Sequence, residues 1–151
     1  MNIGFDMDGV LCKIDVALLR LIDNMPDEVR KSAEEWYYRQ RPPELNASLF
    51  LHEDDKMFII TSRPRRLARV TGKWVKKFYP YAHLYFAPYD TLSKWQNSEE
   101  QVVNWLIKKQ ATKAVVINEL EIDVYFDDDC EVSELRKLCP NTKIVKYGDR
   151  I

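Results

Sequence analysis

The sequence has little of what thiolate and imidazole metal sites need. Its three cysteines, Cys12, Cys130 and Cys139, form no Cys-x-x-Cys pair, and His52 and His83 are its two histidines. A disulfide framework, a zinc-thiolate site and histidine-based metal chemistry are therefore poorly supported. We expect any metal site to be built from oxygen ligands, and we expect a reducing compartment.

Long apolar runs and an excess of one charge are also lacking. No stretch approaches the ~20 apolar residues of a membrane-spanning helix, and the N-terminus lacks the layout of a signal peptide. We therefore expect a cytoplasmic protein without a membrane partner. The formal net charge of −1 argues against a generic polyanion binder. A length of 151 residues predicts one domain, residues 1–151, with a real core.

Short apolar runs alternate with stretches of helical period. We predict buried strands at residues 3–5 and 57–60, then within "HLYFAP", "IDVYF" and "KIVKY". Two short helices fall between the first two strands, and two helical segments precede "IDVYF", the second starting at about Thr112. This alternation predicts an α/β fold, a Rossmann-like, doubly wound parallel sheet with helices on both faces.

Polar residues follow three of these strands, and ligands of such sheets bind outside the carboxyl ends of the strands. The residues are Asp6 and Asp8, Thr61 and Ser62, and 127–129. Carboxylates that meet at one edge need a cation to offset their charge, and an all-oxygen cluster suits Mg²⁺ bridging to a substrate phosphate. Phosphoryl transfer follows naturally, since one aspartate can attack phosphorus while a second carboxylate moves protons.

These motifs resemble those of a known family. "FDMDGV" resembles the first motif of the haloacid dehalogenase-like superfamily of phosphohydrolases, "FIITSR" its second and "VYFDD" its fourth, over nearly the full chain. The resemblance implies that Asp6 is the nucleophile and Asp8 the general acid and base. Gly9 would let the backbone approach the metal and substrate, Thr61 would bond the phosphoryl group, and Ser62 would assist. An aspartate at position 8 implies a phosphatase, a hydrolase of phosphoric monoesters.

The resemblance also implies a lysine and a metal site. "TKAVVINELEIDVYFDD" favours Lys113 as the lysine that steadies the nucleophile, with Lys94 in "LSKW" as the alternative. Asp127 and Asp128 match the acidic pair of the fourth motif. One of them would bind Mg²⁺ directly and the other through water, in an order that stays open. Asp6 and Asp8 complete the implied Mg²⁺ site, and Asp129 would lie outside it.

Residues 13–52 would form a small helical cap over the site in this family. Aromatic and basic residues at 36–41 could stack on a base and hold a phosphate, or could simply pack the cap onto the core. Past the second motif, Arg63 could bind a second anionic group of the substrate. The charges that follow lie four residues apart on one predicted helix face, at Arg65, Arg69, Lys73 and Lys77.

Two classes of function remain open. The first is a Mg²⁺-dependent phosphatase for a small phosphate ester; a nucleoside monophosphate is favoured because "TSR" and the short cap look similar to deoxyribonucleotidases. The same chemistry would serve a polynucleotide-end phosphatase, because "TSRP…TGKWVKKF" is similar to the phosphatase domains of polynucleotide repair enzymes. The second class is a non-catalytic phosphate- or nucleotide-binding module. The complete set of catalytic residue types argues against it.

Overall fold

The computed structural model describes residues 1–87, 99–128 and 132–148, without the side chains of residues 99–106. Lys94 and Asp129, named above, lie outside the described residues. A five-stranded sheet in the order β3-β2-β1-β4-β5, with every pair parallel, forms its centre. The strands are β1 (Asn2–Phe5), β2 (Lys56–Thr61), β3 (His83–Phe86), β4 (Val124–Asp127) and β5 (Lys143–Lys146).

Helices connect these strands. They are α1 (Val16–Asp23) and α2 (Asp27–Arg39) between β1 and β2, α3 (Ala68–Phe78), α4 (Glu99–Glu119) and α5 (Val132–Leu138). The doubly wound α/β fold is thereby confirmed. The expectation of two helical segments before β4 is wrong, because α4 is continuous. Its sequence contains no proline or glycine to interrupt it, and the Thr112 hydroxyl donates to the Lys108 carbonyl within the helix (3.1 Å).

The connection from β1 to β2 carries the region predicted to be a cap. Asp15 begins α1 by accepting a hydrogen bond from the Leu18 amide (3.0 Å), which satisfies one of the exposed donors of the first turn. An ion pair between Glu34 Oε1 and Arg66 Nη2 (2.7 Å) joins α2 to the segment that follows β2. The assignment of residues 13–52 as a cap stays a prediction.

Apolar side chains fill both sides of the sheet. Phe5, Leu11 and Trp74 are buried on the α3 side, and Ile60 and Ile117 on the α4 and α5 side. Because all five strands are parallel, their carboxyl ends meet at one edge. Among the residues that the structure describes, no helix combines the length and the hydropathy of a membrane-spanning segment.

Candidate active site

Two carboxylates and a lysine meet where β1 and β4 end. These strands pair in parallel with Phe5 opposite Phe126, and the Asp6 amide donates to the Phe126 carbonyl (2.8 Å), so Asp6 and Asp127 are neighbours across the sheet. Lys113 Nζ lies 3.2 Å from Asp6 Oδ1 and 2.9 Å from Asp127 Oδ2. The three side chains are buried. The structure thus brings Lys113 to the predicted nucleophile.

A cluster of oxygen ligands lies at the same place. Asp6, Asp127 and Asp128 each offer one carboxylate oxygen, and these oxygens lie within 4.8 Å of one another. Gly9 makes room for the Asp128 carboxylate, because a Cβ at position 9 would overlap it. The φ of Gly9 is +86°, a backbone conformation that favours glycine. An all-carboxylate set with a close backbone approach fits Mg²⁺. Asp8, also predicted as a metal ligand, is outside this cluster.

Burial and charge set the protonation of this cluster. Burial raises the pKa of Asp6 well above its usual value; the charge of Lys113 lowers it, and that of Asp127 adds to the rise. Burial alone would lower the pKa of Lys113, but the charges of Asp127 and Asp6 outweigh it, and the pKa lies well above its usual value. Lys113 is therefore charged. The carboxylates of the cluster outnumber it, which favours a further cation.

Asp8 forms a bidentate pair with Arg63. Arg63 Nη2 donates to Asp8 Oδ1 (2.6 Å) and Arg63 Nε to Asp8 Oδ2 (2.8 Å), while Nη1 reaches the Thr71 hydroxyl (3.2 Å). The Cys12 thiol donates to Asp8 Oδ1 (3.3 Å). Burial would raise the pKa of Asp8, but the charge and hydrogen bonds of Arg63 outweigh it, and the pKa lies below its usual value. Asp8 is thus a carboxylate.

This pairing was not predicted from the sequence, which offered Arg63 as a ligand for a substrate anion. The Arg63 side chain is buried and its guanidinium group contacts Asp8, with the ring of Tyr38 stacked 4.4 Å from its central carbon. The only signal was that two opposite charges each follow a buried strand. Substrate binding by Arg63 stays a prediction.

Thr61 is the last residue of β2, the strand beside β1, and Ser62 follows it. Thr61 is buried, and its hydroxyl accepts a hydrogen bond from the Arg63 amide (3.2 Å). The Ser62 hydroxyl and the side-chain amide of Gln110 are buried with no hydrogen-bond partner in the described part of the chain. Gln110 was missed from the sequence. The signal that could have found it is its position three residues before Lys113, which places both on one helix face.

The predicted cap residues divide between packing and exposure. Tyr37 is buried and its hydroxyl accepts from the Asp15 amide (2.9 Å), which favours packing for this residue. Trp36 is 48% exposed. The basic residues that begin two positions after Arg63 are all exposed: Arg65, Arg69, Lys73 and Lys77.

Comparisons with known proteins support the fold. No family model and no curated protein matches the chain. A chain in the solved structure of the Pnkp1/Rnl/Hen1 RNA repair complex is similar, with a TM-score of 0.58 and 15% sequence identity. The match covers 98% of this chain and 43% of that chain, so this protein spans less than half of that chain's length. At this identity the likeness shows the shared fold alone.

Proposed function

We propose that this protein is a Mg²⁺-dependent phosphomonoesterase of the haloacid dehalogenase-like superfamily, with Asp6 as its nucleophile. The observation that carries the proposal is the position of Lys113 Nζ, within 3.2 Å of both Asp6 and Asp127, beside a third carboxylate from Asp128. Asp128 brings a third carboxylate next to the two that Lys113 contacts, and a divalent cation would offset the negative charge that Lys113 leaves.

Asp6, Asp127 and Asp128 would hold the ion. Mg²⁺ bound there would neutralise the carboxylates and the phosphoryl oxygens, so that an anionic nucleophile can approach an anionic ester. Lys113 adds a fixed positive charge at the attacking carboxylate. The Thr61 hydroxyl, at the end of the neighbouring strand, would donate to a phosphoryl oxygen.

The reaction would proceed in two steps on Asp6. An oxygen of Asp6 forms a bond to phosphorus and the ester P–O bond breaks, which leaves an aspartyl-phosphate. Water then attacks phosphorus, Asp6 is released, and Asp8 accepts the proton of that water. Asp8 is in the carboxylate form that this second step needs. Proton donation by Asp8 in the first step is opposed by Arg63, so esters of acidic alcohols, whose leaving oxygen needs no proton, should react fastest.

An assay with p-nitrophenyl phosphate and MgCl₂ tests this function. Wild type should release p-nitrophenol and lose activity in EDTA, and Asp6→Asn should be inactive because the nucleophile is gone. Asp54→Asn is the matched control, since Asp54 is an exposed aspartate in the loop before β2. Wild type that stays inert toward aryl phosphates, nucleotides, sugar phosphates and phosphorylated oligonucleotides would favour the non-catalytic binding module.

Two classes of substrate are candidates for this reaction. A nucleoside monophosphate remains the first, on the sequence resemblance. A phosphorylated polynucleotide end is the second, and the specific observation for it is an exposed basic row that begins just before α3 and continues along it: Arg65, Arg69, Lys73 and Lys77. Such a row suits the phosphates of a strand. The similar solved chain belongs to an RNA repair complex, which agrees with this candidate.

Salt dependence separates the two candidates. Activity on a phosphorylated oligonucleotide should fall steeply between 50 and 200 mM KCl, because strand binding releases counterions, whereas activity on a mononucleotide should change little. The variant Arg69→Glu/Lys73→Glu should lose oligonucleotide activity alone. Lys31→Glu/Lys143→Glu makes the same change of charge at exposed positions elsewhere. Equal salt dependence for both substrates would contradict the strand-binding candidate.

A further inference from the structure

Two polar side chains next to the site are buried without partners. Gln110 has 0% of its surface exposed, and neither its Oε1 nor its Nε2 makes a hydrogen bond to any residue that the structure describes. The Ser62 hydroxyl oxygen is also buried and makes no hydrogen bond to a residue that the structure describes. A buried amide that bonds nothing has lost its hydrogen bonds to water without replacement, which is rare in folded proteins and unfavourable. In the wall of a binding site, such a group is available to a ligand.

The direction of α4 places Gln110 at the reaction centre. The carbonyl of Leu120, just after α4, accepts from Asn2 Nδ2 at the start of β1 (3.1 Å), whereas Lys113 reaches Asp6 at the end of β1 (3.2 Å). The helix therefore runs antiparallel to the strands. Gln110 lies on the same face as Lys113 and about 4.5 Å nearer the helix N-terminus. The backbone of Gln110 is thus displaced from that of Lys113 in the direction in which the strands end, toward the side of the site.

Ser62 reaches the same edge from the sheet. Ile60 packs with Ile117 of α4, and side chains alternate along a strand, so Ser62 follows Ile60 on the α4 face. The next residue, Arg63, turns to the other face and bonds Thr71 of α3. This alternation places Ser62 on the face of the sheet that α4 covers, and Gln110 belongs to α4.

We infer that the Gln110 carboxamide binds the phosphoryl group of the substrate by donating from Nε2 to a non-bridging oxygen, beside the Ser62 hydroxyl that the resemblance already assigns to this group. This inference rests on the proposed function. Asp6 and Asp127 engage two of the three N–H donors of Lys113, which leaves at most one for the phosphoryl group, and further donors would complete its hydrogen bonds. Neutral donors add hydrogen bonds where negative charge builds up and do not compete with the cation for the carboxylates. The pair would thus hold the phosphoryl group in line with Asp6.

Replacement by an apolar residue of similar shape tests this role. Gln110→Met should lower kcat/KM for p-nitrophenyl phosphate by about 10- to 100-fold, the range for a lost hydrogen bond to a charged group. Its Tm should equal that of wild type or exceed it by about 2–4 °C, because an unpaired amide is removed from the interior. The rise in Tm that 10 mM inorganic phosphate with MgCl₂ causes in wild type should disappear. Gln40→Met, an exposed position, is the control.

Two other results for Gln110→Met would overturn the inference. The first is a kcat/KM within twofold of wild type. The second is a fall in Tm of more than about 4 °C, because such a loss of stability would show that the Gln110 amide has structural partners. If Gln110→Met does not fold, Ser62→Ala and Gln110→Glu take its place. Each should weaken phosphate binding, and Gln110→Glu the more strongly because its charge repels phosphate. Unchanged phosphate binding in both variants overturns the inference.

The thermal-shift measurement separates this inference from the proposed function. If wild type does not hydrolyse the ester but gains stability from phosphate, hydrolysis fails as a proposal, and loss of the gain in Gln110→Met still supports a phosphate-binding amide. If wild type gains no stability from phosphate, or if Gln110→Met gains as much as wild type, the Gln110 inference is overturned.

Discussion

Replacing Lys113 with methionine removes the positive charge between Asp6 and Asp127 and keeps most of the side-chain volume. Lys113 is fully buried, and its Nζ lies 3.2 Å from one carboxylate and 2.9 Å from the other. Loss of one partner from a buried ion pair destabilises a protein by about 3–5 kcal/mol. Asp6 relieves part of this by taking up a proton, since its pKa is already raised. We therefore expect Lys113→Met to lower the free energy of unfolding by about 3 kcal/mol, the lower end of that range.

A loss of about 3 kcal/mol is a large part of the 5–15 kcal/mol of a typical domain and corresponds to a fall in Tm of about 6–12 °C. The free energy of unfolding can be measured by urea titration monitored by circular dichroism, once in EDTA and once with MgCl₂. Mg²⁺ should stabilise Lys113→Met more than wild type, because the ion then supplies the missing positive charge.

Lys73→Met, an exposed lysine of α3, is the control and should change the free energy of unfolding by less than about 0.5 kcal/mol. The same Lys113→Met change should be less destabilising in an Asp6→Asn background, which has one fewer carboxylate to neutralise. A loss below about 1 kcal/mol in EDTA, or an equal loss in both backgrounds, would refute the reasoning.

Three further predictions concern neighbouring residues. Gly9→Ala should destabilise the fold by about 1–3 kcal/mol and raise the Mg²⁺ concentration needed for thermal stabilisation, since its Cβ meets the Asp128 carboxylate at a positive φ; an unchanged Mg²⁺ midpoint would speak against this. Arg63→Met should destabilise by about 2–3 kcal/mol at pH 7. Because Arg63 lowers the folded pKa of Asp8, ionised Asp8 contributes wild-type stability that is full above the unfolded pKa of ~3.9 and is lost as the pH falls through the folded pKa. Arg63→Met lacks this contribution, so the difference in Tm between the two proteins should shrink between pH 7 and pH 3, and a constant difference would contradict the reasoning. Cys139 is a buried thiol, and burial raises its pKa to about 11. It should therefore resist alkylation by iodoacetamide in the folded protein at pH 7, which peptide mass spectrometry measures; rapid labelling would contradict this.

Much of the fold was predictable from local pattern. The apolar runs before Asp6, Thr61 and Asp127 form β1, β2 and β4, as expected, because strands buried on both faces need continuous apolar side chains. The parallel arrangement follows from helices between strands and brings those polar residues to one edge. The break expected near Thr112 did not occur, since weak helical periodicity does not end a helix that has no proline or glycine.

The candidate site was predictable only in part. The sequence by itself determined that carboxylates follow β1 and β4, and the residue spacing already favoured Lys113. Only the tertiary structure decided that β1 lies between β2 and β4, that Arg63 pairs with an aspartate 55 residues away, and that the Gln110 amide is buried without a partner. The physical reason is that strand ends are set by neighbours along the chain, whereas burial and charge partners depend on which distant segments pack against each other.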